Sequence, residues 1–285
     1  MTTLLLDGVC VAPKDVFTAL QSLSQVVARL RDKNDARAVF PDVYGIITRR
    51  VAEEIQHGSR FQEPMWIARL AGLFAERYFE SLVASLTQAA QPSSAWRIAY
   101  ACAGNPLTLP AQDALLGINA HINFDLAQGI YDNIVGHGAQ HDERLLARYR
   151  HDHDAVNEIL AAALPECMLL LAERYGCPVT RLVVSLPRVQ ATLSRLVMAV
   201  LKYWRDRVWT DVLALLAAPQ AEEREAILAR MDRDSGRIAL LIGLGPVLWA
   251  RFSSLRSALV ARIQRALPAP RPRVLPATLL ARAAR

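Results

Sequence analysis

The stretch LGINAHINFDLAQ, Leu116 to Gln128, limits what this chain can fold into more than any other. Its residues favour helix. At about 100° per residue its Leu, Ile, Ala and Phe side chains point in nearly every direction. A helix that is apolar on all sides is buried on all sides. The chain is therefore expected to wrap its other helices around this one. Yet Asn119, His121, Asn123 and Asp125 alternate through the stretch. Asn119 and Asn123 fall one turn apart on one face, and His121 and Asp125 fall one turn apart on nearly the opposite face. A buried polar group without a partner costs about 1–3 kcal/mol. These pairs must then bond to something inside, or serve a site.

The rest of the chain can supply the wrapping. Helical spacing of apolar residues predicts a first helix from Pro13 to about Lys33, and a second from Pro41 to His57. Pro64 opens a long third helix that runs to about Gln88. Ser93 or Ser94 caps a short one holding Trp96 and Tyr100. Pro110 starts the helix of the opening motif, which ends near Gly136-His137-Gly138. Asp142 to Tyr175 follows, with a kink expected at Pro165. VTRLVVSLP reads as a short strand or extended connector. Pro187 to Ala217 and about Gln220 to Met231 are helical. In the last segment, Ile238 to Leu267, Gly243, Gly245 and Pro246 are expected to bend or break a helix. The expected fold class is all-α: a single orthogonal or bundle-like helical domain over residues 1–267, with a buried central helix. Residues 268–285 form a basic Pro/Arg-rich tail, read as disordered.

Hydrophobic residues make up 53% of the chain, enough for a large core. The net charge of +6 is misleading as a partner signal. Arg251 to Arg285 holds eight arginines and no acidic residue, so the body carries 6 − 8 = −2. No helix-turn-helix, zinc-finger or aromatic RNA-binding signature is present, and nucleic acid is not an expected partner. Cys10, Cys102, Cys167 and Cys177 lack CxxC spacing and read as free thiols, with a cytoplasmic location expected. The short apolar run at the N-terminus is interrupted by Asp7 and is not read as a signal peptide. No stretch reaches the 18 or so apolar residues of a spanning helix.

Three polar clusters are candidates for chemistry. In the opening motif, Asp125 can orient the His121 imidazole and raise its pKa, or both can hold one metal ion. The alternative is a core histidine satisfied by its own aspartate. Asn119 and Asn123 are read as bonding to packed neighbours, or as substrate contacts. In YRHDHDAVNEIL, Asp152, His153 and Asn157 lie on or at the edge of the apolar stripe. If that helix packs against the opening one, Asp152 can join His121 and Asp125 as a catalytic group or as a third ligand of a divalent metal ion. A wet charged surface is the competing reading. In YWRDRVWTDVL, Arg205 with Trp209 can clamp a carboxylate or phosphate, or Arg205 can pair with a helix neighbour such as Asp206 or Asp211. No GxSxG, P-loop, HExxH or DDxxD pattern is present, and MDRDSGR is only a shadow of acidic metal spacing.

LLGINAHINFDL, preceded by FQEPMWIARLAGLFAERYFESL and SSAWRIAY and followed by DHDAVNEIL and WRDRVWTDVLALL, resembles an uncharacterised bacterial family, domain of unknown function 5995. The likeness runs in order from about Tyr44 to Ala217. It implies a helical protein in which His121, Asn123, Asp125, Asp152 and Asn157 are the positions to watch, with a hint of secondary metabolism and no assigned activity. The expected function is a small-molecule enzyme centred on His121 and Asp125. It would carry out acid–base or metal-assisted cyclisation, elimination, isomerisation or hydrolysis of a hydrophobic substrate. Two alternatives stand beside it. One is a non-catalytic protein that binds an apolar ligand. The other is a peripheral membrane protein whose C-terminal segment touches the membrane surface.

Overall fold

The structure is a computed structural model that describes residues 3–251, 262 and 265. Among the described residues every regular element is helical and none is a strand. In chain order they are α1 (Thr3–Leu6), α2 (Val16–Asp32), a 3-10 turn (Ala36–Ala38), α3 (Val39–His57), α4 (Pro64–Thr87), α5 (Ser94–Ala103) and α6 (Pro110–Ala120). A π turn (His121–Asp125) leads into α7 (Leu126–Gly136). Then come α8 (Glu143–Glu173), α9 (Pro178–Ser185), α10 (Pro187–Ala217) and α11 (Ala221–Arg251).

Local sequence sets most of these boundaries. Asp15 caps α2 through a reciprocal capping box with Thr18. Ser93 and Asp142 accept N–H bonds at the starts of α5 and α8. Prolines open α4, α6, α9 and α10, where the missing N–H costs nothing. α8 continues through Pro165.

The helix running from Pro110 to Gly136 is the axle of the fold. α3, α5 and α11 pack on its α6 half, α4 and α10 pack on its α7 half, and α4, α10 and α11 reach the π turn between them. Burial on every side follows: Leu116, Asn119, Ala120, Ala127, Ile130 and Ile134 are fully enclosed. Close approach also depends on side-chain absence. A Cβ on Gly117 would lie 2.3 Å from the Phe40 ring, so the contact of α3 with α6 requires glycine there.

Two sequence expectations are corrected. VTRLVVSLP is neither strand nor connector but helix α9, packed on α8 and α10. α11 is one helix from Ala221 to Arg251 and does not stop before Ile238 or at Gly243. A glycine inside a helix costs only about 1 kcal/mol, and α11 lies along α5 closely enough that a Cβ on Gly243 would be 3.4 Å from Cys102 Sγ. That packing outweighs the propensity. MDRDSGR is also explained without a metal: Asp232 accepts bonds from the Ser94 N–H and hydroxyl, fixing α11 to the start of α5.

α8 contains a window of mean hydropathy 1.6, long and apolar enough to cross a membrane. Here its apolar face packs against α3, α9 and α10. The basic tail, and residues 252–261, 263–264 and 266–267 of the segment invoked for membrane contact, lie outside the described residues.

Candidate functional site

The π turn places the two titratable residues of the motif. Leu126 N–H bonds to His121 O, five residues back, so the helix carries one extra residue in this turn. Such bulges recur at functional sites because they re-aim side chains that a regular helix would stack. His121 Nδ1 then lies 2.9 Å from Asp125 Oδ2. The same oxygen accepts the Trp96 indole N–H from α5, also at 2.9 Å. A carboxylate only accepts, so Nδ1 carries the imidazole proton and Nε2 keeps its lone pair. Both side chains are buried.

Aromatic rings fix the imidazole plane. Phe74 of α4 stacks on it, with interplanar angle 8°. Tyr44 and Phe40 of α3 meet it edge-on, at 71° and 77°. Burial among these rings pushes the His121 pKa below its ordinary value of 6.5, against the pull of Asp125. The sequence expectation of a raised pKa is thus reversed. Desolvation of the imidazolium outweighs one neighbouring carboxylate.

His121 lines a cavity of about 120 Å³. Its walls are side chains of α3, α4, the central helix, α8 and α10, chiefly Ile, Leu, Val and Phe. Three residues on that wall each hold a buried polar atom with no hydrogen-bond partner among the protein's own groups: His121 Nε2, the Tyr44 hydroxyl and Arg205 Nε. Buried polar atoms are rarely left so, and here the three residues that hold them all line one cavity.

Arg205 of α10 reaches this wall because His153 of α8 holds it. Arg205 Nη2 donates to the His153 carbonyl. The His153 ring lies 3.1 Å from the Arg205 carbonyl through Nε2 and 3.3 Å from Arg205 Nη2 through Nδ1. Burial, joined by the nearby guanidinium, holds His153 well below 6.5, in the neutral form these bonds need. Arg205 does not pair with Asp206 or Asp211, the helix neighbours named from sequence. Those carboxylates bind Arg150 and Arg230.

The other residues singled out from sequence lie elsewhere. Asp152 does not join His121 and Asp125. Its two oxygens accept the Gln62 and Glu63 backbone N–H groups at 2.7 and 2.6 Å, just ahead of α4. The turn entering α4 has orphan donors that a buried carboxylate satisfies, and this holds Asp152 off the cavity wall. Among the described residues no three His, Cys, Asp or Glu side chains form a group that could hold a metal ion, so the expected trio of His121, Asp125 and Asp152 is not assembled. Asn123 donates to Asn119 at 3.0 Å, and Asn119 donates to the Ser235 carbonyl at 2.9 Å, tying the axle to α11. Asn157 leaves its Oδ1 unpartnered but is not on the cavity wall. Trp209 is buried beneath Arg150, whose guanidinium carbon lies 5.6 Å from the ring.

Sequence reasoning passed over Tyr44, Phe74 and Trp96. A signal existed for Trp96 and Tyr44. A buried indole N–H or phenol needs a partner, and each sits on the apolar face of a helix that must pack on the motif.

The fold and site define an all-α protein with a His–Asp pair in a bulge of its buried central helix, facing an apolar cavity. The chain belongs to the Family of unknown function (DUF5995), whose model matches residues 16–244. The match extends beyond both ends of the likeness read from sequence. No curated protein and no solved structure matches the chain.

Proposed function

We propose that this protein is an enzyme acting on a small hydrophobic molecule, with His121 as the group that takes and returns a proton. One observation carries the reading: His121, whose buried Nε2 has no partner, lines an apolar cavity, while Asp125 fixes its Nδ1–H. A carboxylate that locks the tautomer and steadies the imidazolium formed on proton transfer is the arrangement general bases use. A histidine kept neutral by burial has its lone pair available at neutral pH. The chemistry this favours is proton abstraction at a carbon: an isomerisation where the imidazolium returns the proton to the same or a neighbouring atom, or an elimination where it gives the proton to the departing group. Asp125 is the orienting group, and the Tyr44 hydroxyl is a donor for a developing negative charge. Metal-assisted hydrolysis has less support, since Asp152 is engaged by backbone N–H groups. A cytoplasmic location is proposed with it.

The test is proton exchange. Small ketones, esters and carboxylates whose apolar body has up to about six non-hydrogen atoms, near the size of benzene, are incubated with protein in D2O and followed by NMR. At least one member should gain deuterium at a carbon with wild type and about 100-fold more slowly with His121→Gln. If members bind but none exchanges with wild type, the protein is a carrier of apolar ligands instead.

A further inference from the structure

We infer that the ligand of this cavity is a small monoanion, an apolar body ending in a carboxylate, recognised by Arg205. The inference rests on the cavity being a ligand site, as proposed above, and adds the ligand's charge.

Arg205 is 6% exposed. Among the described residues it makes no ion pair: its hydrogen bonds go to a backbone carbonyl and a neutral imidazole. The two carboxylates that act on it through space, Asp154 and Asp206, are both bonded to Arg150. Burial pushes the guanidinium down to about 10, so it still carries its charge at neutral pH. Proteins pair buried charges because an isolated ion in an apolar interior is severely destabilising. Among the described residues this one has no ion-pair partner; it is held still by His153 and lines a space walled by hydrocarbon. An anion entering that space supplies the missing charge.

The wall also limits what the anion can be. Among the described residues Arg205 is the one Lys or Arg on it, and His121 and His153 are held neutral by burial. A single positive charge matches a monoanion. A phosphate near neutral pH carries more charge and three oxygens to satisfy, and the apolar wall has nothing for them. A cavity of about 120 Å³ holds a body near the size of benzene or a short branched chain. A carboxylate at Arg205 would leave that body in the cavity that His121 also lines.

The test compares charge at constant shape. Benzoate and nitrobenzene, and cyclopentanecarboxylate and nitrocyclopentane, are isosteric pairs that differ in charge. Their affinities for the full chain are measured by calorimetry at pH 7.5. Each carboxylate should bind at least about 10-fold more tightly than its nitro partner. Arg205→Met should abolish the preference, and Arg205→Lys, which keeps the charge, should retain part of it. Equal or tighter binding of the nitro compounds to wild type overturns the anion inference and leaves the apolar-site reading standing. Failure of both series to bind overturns both. The wild-type comparison needs no variant, so it decides the matter even if Arg205→Met does not fold.

Discussion

His121, His153 and Asp113 are titratable side chains that the interior holds in their neutral forms. Each makes stability depend on pH in a direction fixed by linkage. For the two histidines the folded pKa lies below the ordinary 6.5. The unfolded chain therefore binds protons that the folded chain refuses, and their contribution is lost as pH falls through 6.5. Asp113 has the opposite sign. It is buried, its Oδ1 has no partner, and desolvation raises it to about 7. The folded state takes up a proton before the unfolded state does. Asp113 thus penalises folding increasingly as pH rises from the ordinary 3.8 to about 7. Urea unfolding of wild type and Asp113→Asn at several pH values separates the two. Relative to wild type, the variant should gain about 3 kcal/mol on going from pH 4 to pH 8. It should also lose stability more steeply below pH 6.5, where the histidines act alone. A pH-independent difference between the two proteins would contradict the burial of Asp113.

At the scale of elements, the sequence reveals where helices lie better than where they go. Proline and aspartate or serine caps mark starts, so α2, α4, α5 and α10 sit within a few residues of their expected positions. α9 was obscured because VTRLVVS is rich in β-branched residues, and only its packing on α8 and α10 makes it helical. The π turn has no local signal at all. Periodicity placed His121 and Asp125 on a shared face opposite Asn119 and Asn123, and the structure keeps that division. It could not show that Asp152, on the right stripe of the right helix, would be claimed by the turn entering α4. Long-range hydrogen bonds between elements are not written in spacing. Asp152→Ala should therefore act on folding: removing a buried carboxylate from two part-buried N–H donors is expected to cost about 1–3 kcal/mol. The same variant should leave benzoate affinity within about 2-fold. A large loss of affinity in a protein of normal stability would return Asp152 to the site.

For the whole molecule, the fold is the consequence of one sequence demand. A helix that is apolar all round must be enclosed, and α3, α4, α5, α10 and α11 enclose it. Enclosure forces its polar side chains to find partners inside. Asn119 and Asn123 find them in each other and in α11. Asp125 finds His121 and Trp96. Asp113 Oδ1 and Asn133 Oδ1 find none, and neither does His121 Nε2, which belongs to the one of these three residues that lines the apolar cavity. The account of function stands on that atom. Long-range proton–nitrogen NMR of the His121 ring at pH 7.5, recorded during a titration with benzoate, addresses it directly. The prediction is a neutral ring with its proton on Nδ1, and an Nε2 resonance that moves as the ligand fills the cavity. A proton already on Nε2, or an Nε2 signal unmoved by bound ligand, would contradict it.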